Sequence, residues 1–186
     1  MRPGRIERRE HSYKRHGTLC LTPNFDVATR KIFAPTIGPT RTEQDFAEHI
    51  KQTIATDLEA EWVFVLDQLN THKSESLVKL IASLCHIDTD LGLKGKEGVL
   101  KSMNSRMSFL EDSSHRIRFV YTPKHCSWLN QIEIWFSVLA KRLIHRGNFS
   151  SSDDLHTKLL HFMEYFNCTL AKPYKWTYKG KPLCVA

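Results

Sequence analysis

The chain has 186 residues, 41% hydrophobic and 25% charged, which excludes a disordered chain and leaves room for one ordinary domain. Twenty-seven Lys and Arg stand against 20 Asp and Glu, and the net charge of +7 favours an anionic partner such as nucleic acid, phosphate or a membrane surface. No run approaches the length of a membrane span, no apolar signal segment follows Met1, and five cysteines without a Cys-x-x-Cys pair read as reduced thiols, so a cytoplasmic protein is expected.

Residues 1–16 are strongly basic and lack an apolar period, which suggests an arm or loop; Arg8 and Arg9 are its candidate contacts to an anion, against the alternative of a solvated tail. Thr18 to Phe25 and Lys31 to Pro35 read as two strands of a hairpin around a turn at 26–30. Thr40 with Glu43 fits a capping box, and Phe46, Ile50, Ile54 and Leu58 predict a helix from about 41 to 58. Trp62-Val63-Phe64-Val65-Leu66 is a continuous apolar run, the pattern of a strand buried on both faces. A helix is expected from Ser74, a shorter one over about 98–111, and a strand over Ile117–Tyr121. Two more helices follow, one from about Leu129 to His145 and one starting at Ser150–Asp153. This order predicts one mixed α/β sheet with helices on its faces, in a single domain over 1–186.

Asp67 closes the apolar strand, where an α/β sheet places its ligands; a turn or helix-cap Asp would sit there equally well. Asn70 and His72 follow closely, and His72 also reads as a surface histidine at a helix start. Glu133 borders the apolar stripe of Leu129, Ile132, Phe136, Leu139 and Leu143, where a carboxylate is costly unless it is paired, binds a cation or reaches water. Lys124, His125 and Trp128 lie just before that helix and could line a DNA channel, although Trp128 reads equally as core. Cys85-His86 and His125-Cys126 are adjacent pairs, whereas zinc ligand pairs carry intervening residues, so a zinc site is not expected.

The stretch Tyr121-Thr122-Pro123-Lys124-His125-Cys126-Ser127-Trp128-Leu129-Asn130-Gln131-Ile132-Glu133-Ile134-Trp135 resembles the Ser-Pro-x-Leu-Asn-Pro-Ile-Glu-x-x-Trp signature of mariner-like insertion-sequence transposases, of the DDE endonuclease superfamily. Asp67 with Asn70 and His72 resembles that family's second-Asp motif. The resemblance implies a ribonuclease-H-like fold, double-stranded DNA as partner at transposon ends and target, and a bacterial-type, nucleoid-associated location. It leaves a homo-oligomer open. It implies two magnesium ions, replaceable by manganese, with Asp67 and Glu133 as catalytic metal ligands.

The departures are specific. Gln68 stands where the family has Asn, and Gln131 where it has Pro. Sixty-five residues separate Asp67 from Glu133, a long interval whose surplus maps to an insertion at about 85–115. The family's first ligand is an Asp on a central strand before the hairpin, and no such strand is found before residue 18, so a form truncated at its N-terminus is expected. Asp26 in the hairpin turn and Asp45 in the first helix are poor substitutes. The expectation for the sheet is a gap between the hairpin and the strand ending at Asp67, closed by sliding the neighbours together, or marginal stability. For activity the expectation is impaired catalysis, or a non-catalytic DNA-binding remnant.

Overall fold

The computed structural model describes residues 17–124, 126 and 129–173. Strands β1 (Cys20–Phe25) and β2 (Ile32–Gly38) pair antiparallel. Asp26 closes their turn: its carboxylate accepts from the Ala28 N–H at 2.8 Å and the Thr29 hydroxyl at 2.6 Å. The register slips between Thr22 and Asn24, at Pro23, where the missing N–H disturbs the ladder least.

Helix α1 (Glu43–Ile54) begins two residues later than the expected box. Thr42 is the N-cap and Asp45 its partner, because Asp45 collects both the Thr42 N–H and the Thr40 hydroxyl, each at 2.7 Å. The helix also stops short of 58. The Asp57 carboxylate accepts from the N–H groups of Glu59 and Ala60, turning the chain and leaving Leu58 61% exposed, off the buried stripe.

Strands β3 (Trp62–Leu66) and β4 (Ile117–Tyr121) pair in parallel, from Trp62 opposite Ile117 to Leu66 opposite Tyr121. Between them run α2 (Glu75–Leu84), capped by Ser74, and α3 (Met103–Leu110) after a 3₁₀ turn at Val99–Lys101. One core joins α1, α2 and this strand pair through Ile50, Ile54, Leu77, Ile81, Ile117 and Phe119. The 85–115 region is more than a surface excursion. Leu100 and Leu110 are buried in this core, and the buried Arg106 guanidinium donates to the carbonyls of Lys73 and Leu100. Near its start Gly92 and Gly98 meet backbone to backbone; a Cβ on Gly98 would come within 2.6 Å of the Leu91 carbonyl.

Helix α4 (Ile132–Leu139) passes into a π-helical turn at Ala140–Ile144, and α5 (Ser152–Thr169) follows with Ser151 as N-cap. The buried positions of α4 are Trp135 and Leu139, while Leu129 lies outside the helix and is 47% exposed. A second core forms here, from Trp135, Leu139, Leu159, Phe162, Met163 and Phe166 against Ile32 of the hairpin.

The fold is thus mixed α/β, as the element order predicts, with its sheet in two halves. Among the described residues β1 pairs only with β2 and β3 only with β4, and an apolar-walled cleft of about 940 Å³ lies between the halves. The neighbours have not slid together into one ladder. Contact across the gap runs through side chains, with Phe33 stacked on Trp62 at 6.3 Å; the stack continues along β3 to Phe64 at 5.6 Å and onto Phe119 of β4 at 5.3 Å.

The gap overturns the expectation that β3 is buried on both faces. Its burial alternates, and Val63 and Val65 are 49% and 45% exposed because no described element covers their face. The main chain alternates in the same way. The Trp62 N–H donates to Arg116 O at 2.9 Å and the Thr122 N–H to Leu66 O at 2.8 Å. A parallel ladder in that register turns the N–H groups of Trp62, Phe64 and Leu66 toward β4 and those of Val63 and Val65 toward the cleft. Amide hydrogen exchange followed by NMR should therefore be slow at Phe64 and fast at Val63 and Val65; equal protection at all three would show that the edge is closed.

Candidate active site

Asp67 leaves the C-terminal end of β3, and a network of hydrogen bonds fixes the turn that follows. Gln68 Nε2 donates to Thr122 O at 3.0 Å, tying the turn to the end of β4. The buried Lys73 ammonium donates to Gln68 Oε1 at 2.8 Å and lies over the Tyr121 ring. The Tyr121 hydroxyl donates to His72 O at 2.7 Å. Burial pushes the Tyr121 phenol well above its ordinary range, so it stays a donor.

The Asp67 carboxylate is partly exposed and has two internal partners at Oδ1. The Leu69 N–H donates at 3.1 Å, and His72 Nδ1 lies 2.7 Å away. His72 sits in a 3₁₀ turn (Asn70–Lys73) with its ring on Phe46 at a centroid distance of 4.4 Å. Burial lowers the His72 pKa more than the neighbouring Asp67 raises it. The neutral ring donates through Nδ1–H and holds the carboxylate's orientation. His72 is therefore a half-buried partner of Asp67 rather than a surface histidine. Asn70 is exposed and does not line the cleft.

Glu133 lies in the first turn of α4 and is exposed, not set at the edge of the buried stripe; α4 buries Trp135 instead. Asp67, His72 and Glu133 all line the cleft between the half-sheets, so residues 66 positions apart in sequence open onto one space. Two buried polar atoms beside Glu133, Gln131 Oε1 and Trp135 Nε1, have no hydrogen-bond partner among the described residues.

Asp26 and Asp45 also line the cleft, but their carboxylates are engaged by their own turns. Burial pushes the Asp26 pKa up, and the bonds from Thr29 and Ala28 outweigh it, for a net lowering. Lys124 is exposed and outside the cleft lining, and Arg8, Arg9, His125 and Trp128 fall outside the described residues. Sequence reading missed Gln68 as a tether, along with Lys73, Arg106 and Tyr121; for Arg106, the apolar helix positions Met103, Met107 and Leu110 around it were the available signal.

Carboxylate oxygens are the donors a hard divalent cation prefers, so Asp67 and Glu133 fit such an ion in kind. They fall short in number: among the described residues no group of three or more His, Cys, Asp or Glu side chains is placed to hold one ion. None of the described helices is long and apolar enough to cross a membrane.

A mixed α/β fold that opens a strand-end Asp and a helix-start Glu onto one cleft, on a basic chain, suits a nuclease-type enzyme. The chain belongs to the DDE superfamily endonucleases, whose family model matches residues 1–156. No curated protein and no solved structure gives a significant match. Enzymes of this superfamily generally use divalent metal ions and act on DNA.

The cleft wall also carries a buried histidine. His49 of α1 is 2% exposed, its Nε2 3.2 Å from Asn24 Oδ1 and its Nδ1 3.0 Å from the Thr36 hydroxyl. Burial, with a smaller effect from His72, lowers its pKa to about 4 from the ordinary 6.5. As pH falls the unfolded chain takes up this proton first, so stability is intact above pH 6.5 and is lost between 6.5 and 4. That loss is of order 3 kcal/mol. Urea midpoints at pH 7 and pH 4.5 should differ less in His49→Gln than in the parent; an unchanged difference would remove His49 as the cause.

Proposed function

We propose that this is the catalytic domain of a DNA transposase of mariner-like, insertion-sequence type, in which Asp67 and Glu133 are two of the carboxylates of a two-metal site. The observation carrying this reading is that both carboxylates open onto one cleft, inside the two stretches that resemble the family's motifs. Residues 1–186 form one domain in this reading, with 85–115 as its insertion.

Magnesium or manganese bound there would activate a water or a DNA 3′-hydroxyl for in-line attack and stabilise the leaving oxygen. The chain's own contributions are more specific. His72 and the Leu69 N–H hold Oδ1 of Asp67, so that Oδ2 would be the oxygen offered to an ion. Helix α4 presents Glu133 from a first turn anchored by Trp135. Lys124, His125, Arg8 and Arg9 contact the phosphates of double-stranded DNA, steering it by charge. The protein acts beside the nucleoid, in the cytoplasm of a bacterial-type cell.

One observation favours a second reading, a DNA-binding remnant without catalysis: no cluster of three metal-ligating side chains exists among the described residues. Two carboxylates alone do not hold two ions in the required geometry, so cleavage by these 186 residues should be weak.

Supercoiled plasmid with Mg²⁺ or Mn²⁺ separates the two. Slow nicking that disappears in Asp67→Ala and in Glu133→Ala supports the enzyme, whereas binding that weakens steeply with salt and never nicks supports the remnant. Under the first reading either substitution also weakens Mn²⁺ binding at least tenfold by titration. Unchanged affinity in both variants rejects the pair as ligands.

A further inference from the structure

We infer that the solvent face of α4 and its π-helical end form a track for the sugar-phosphate backbone of a DNA duplex, gripped by Lys141, Arg142 and Arg146. Only the place of the reacting phosphate, beside Glu133, rests on the proposed function.

These three cations are uncompensated. Other helices pair their exposed cations internally. Lys51 of α1 lies 3.7 Å from Glu48, Lys79 of α2 2.6 Å from Glu75, and Lys158 of α5 2.8 Å from Asp154. Lys141, Arg142 and Arg146 are exposed, and among the described residues none of them makes an ion pair or a side-chain hydrogen bond. No Asp or Glu occurs from Ile134 to Ser152. The carbonyl end of a helix favours a cation, but that attraction acts only over the last turn. Arg142 and Arg146 also stand at i, i+4 spacing, where like charges repel. Such a cluster costs stability until an anion neutralises it. The turn that carries it is π-helical, closed by the His145 N–H on Ala140 O at 2.8 Å, a geometry frequent at functional sites.

The cations also lie in line with the candidate carboxylate. Burial of Trp135 and Leu139 fixes which face of α4 is open. Glu133 and Ser137 are exposed on that face one turn apart, and Lys141 is one turn further on. At 1.5 Å per residue, Lys141 stands about 12 Å and Arg146 about 20 Å beyond Glu133. One DNA strand sets a phosphate roughly every 3.4 Å, so a duplex lying along α4 meets the cations about four to six nucleotides from Glu133.

More positive charge joins the fold at the same end. The basic stretch 1–16 is attached at Gly17, and a Cβ on Gly17 would stand 3.7 Å from that of Ser152, in the segment that follows Arg146. Of the two acids next in the chain, Asp154 is engaged by Lys158 and the Ser150 N–H, which leaves Asp153 against three cations. An anionic membrane is the competing partner for a basic face. It requires an apolar face free to insert, and the apolar side of α4 is buried in the second core.

The test is binding of the 186-residue chain, without metal, to a duplex of about 20 base pairs, longer than the track. Changing Lys141, Arg142 and Arg146 together to Gln should weaken binding about tenfold or more and lower the log–log salt slope by about 2 to 3. The same change at Lys51, Lys79 and Lys101 removes equal charge elsewhere and should cost less than about threefold. Ser137→Arg, midway along the track, should tighten binding and add about 1 to the slope. Equal losses in the two triple variants, no loss in the first, or no response to Ser137→Arg would overturn the track. So would binding to phosphatidylserine vesicles through the same three residues with the duplex left unbound. Since neither metal nor cleavage enters these measurements, loss of the proposed active site would leave the track standing, and the reverse holds equally.

Discussion

A strand satisfies its peptide groups on two edges, and among the described residues each strand flanking the cleft has a strand partner on one edge only. That constraint organises the rest. It explains why there are two cores, each built by helices clamping a two-stranded unit from outside. It explains why valines in an apolar strand are half exposed, and why the stacked rings of Phe33 and Trp62 carry contact where a ladder does not. Helix α1 also bridges the halves. Asn24 of β1 donates to Thr53 of α1 at 2.8 Å and faces His49, while Ile50 and Ile54 of the same helix enter the first core.

The candidate site inherits this division. Asp67 belongs to the β3–β4 half and is held by a dense net through Gln68, Lys73, Tyr121 and Arg106. Glu133 belongs to the other half, on a helix whose buried residues pack on α5 and the hairpin. Each carboxylate is anchored within its own unit, so their relative position depends on how firmly the units are joined. Catalytic constellations tolerate little looseness, about half an ångström.

Local order was largely legible in the sequence. The Ser74 cap, the Ile117–Tyr121 strand and the hairpin around Asp26 each have short-range chemical causes, and each stands within a few residues of its expected place. The errors came from competition and from tertiary cover. Thr40 and Thr42 both offer a capping hydroxyl, and Asp45 decides between them by bonding both. The continuous run of Trp62–Leu66 correctly signals a strand but not its burial on both faces, because cover is supplied by other elements and cannot be read from the run itself. Trp135 displaced Phe136 as the anchor of α4 because α5 presents Phe162 and Phe166 to it. The tie between His72 and Asp67 was invisible because it needs the 3₁₀ turn that folds five residues back on themselves.

Asn167 of α5 gives the hairpin's far side a different character from the cleft. Its Oδ1 accepts from the Ile32 N–H at 2.8 Å and its Nδ2 donates to the Ile32 carbonyl at 2.7 Å, so one side-chain amide stands in for the peptide unit of a neighbouring strand. Filaments that grow by strand addition need an open edge at each end of the repeating unit. The hairpin therefore offers a growing stack no free purchase at Ile32.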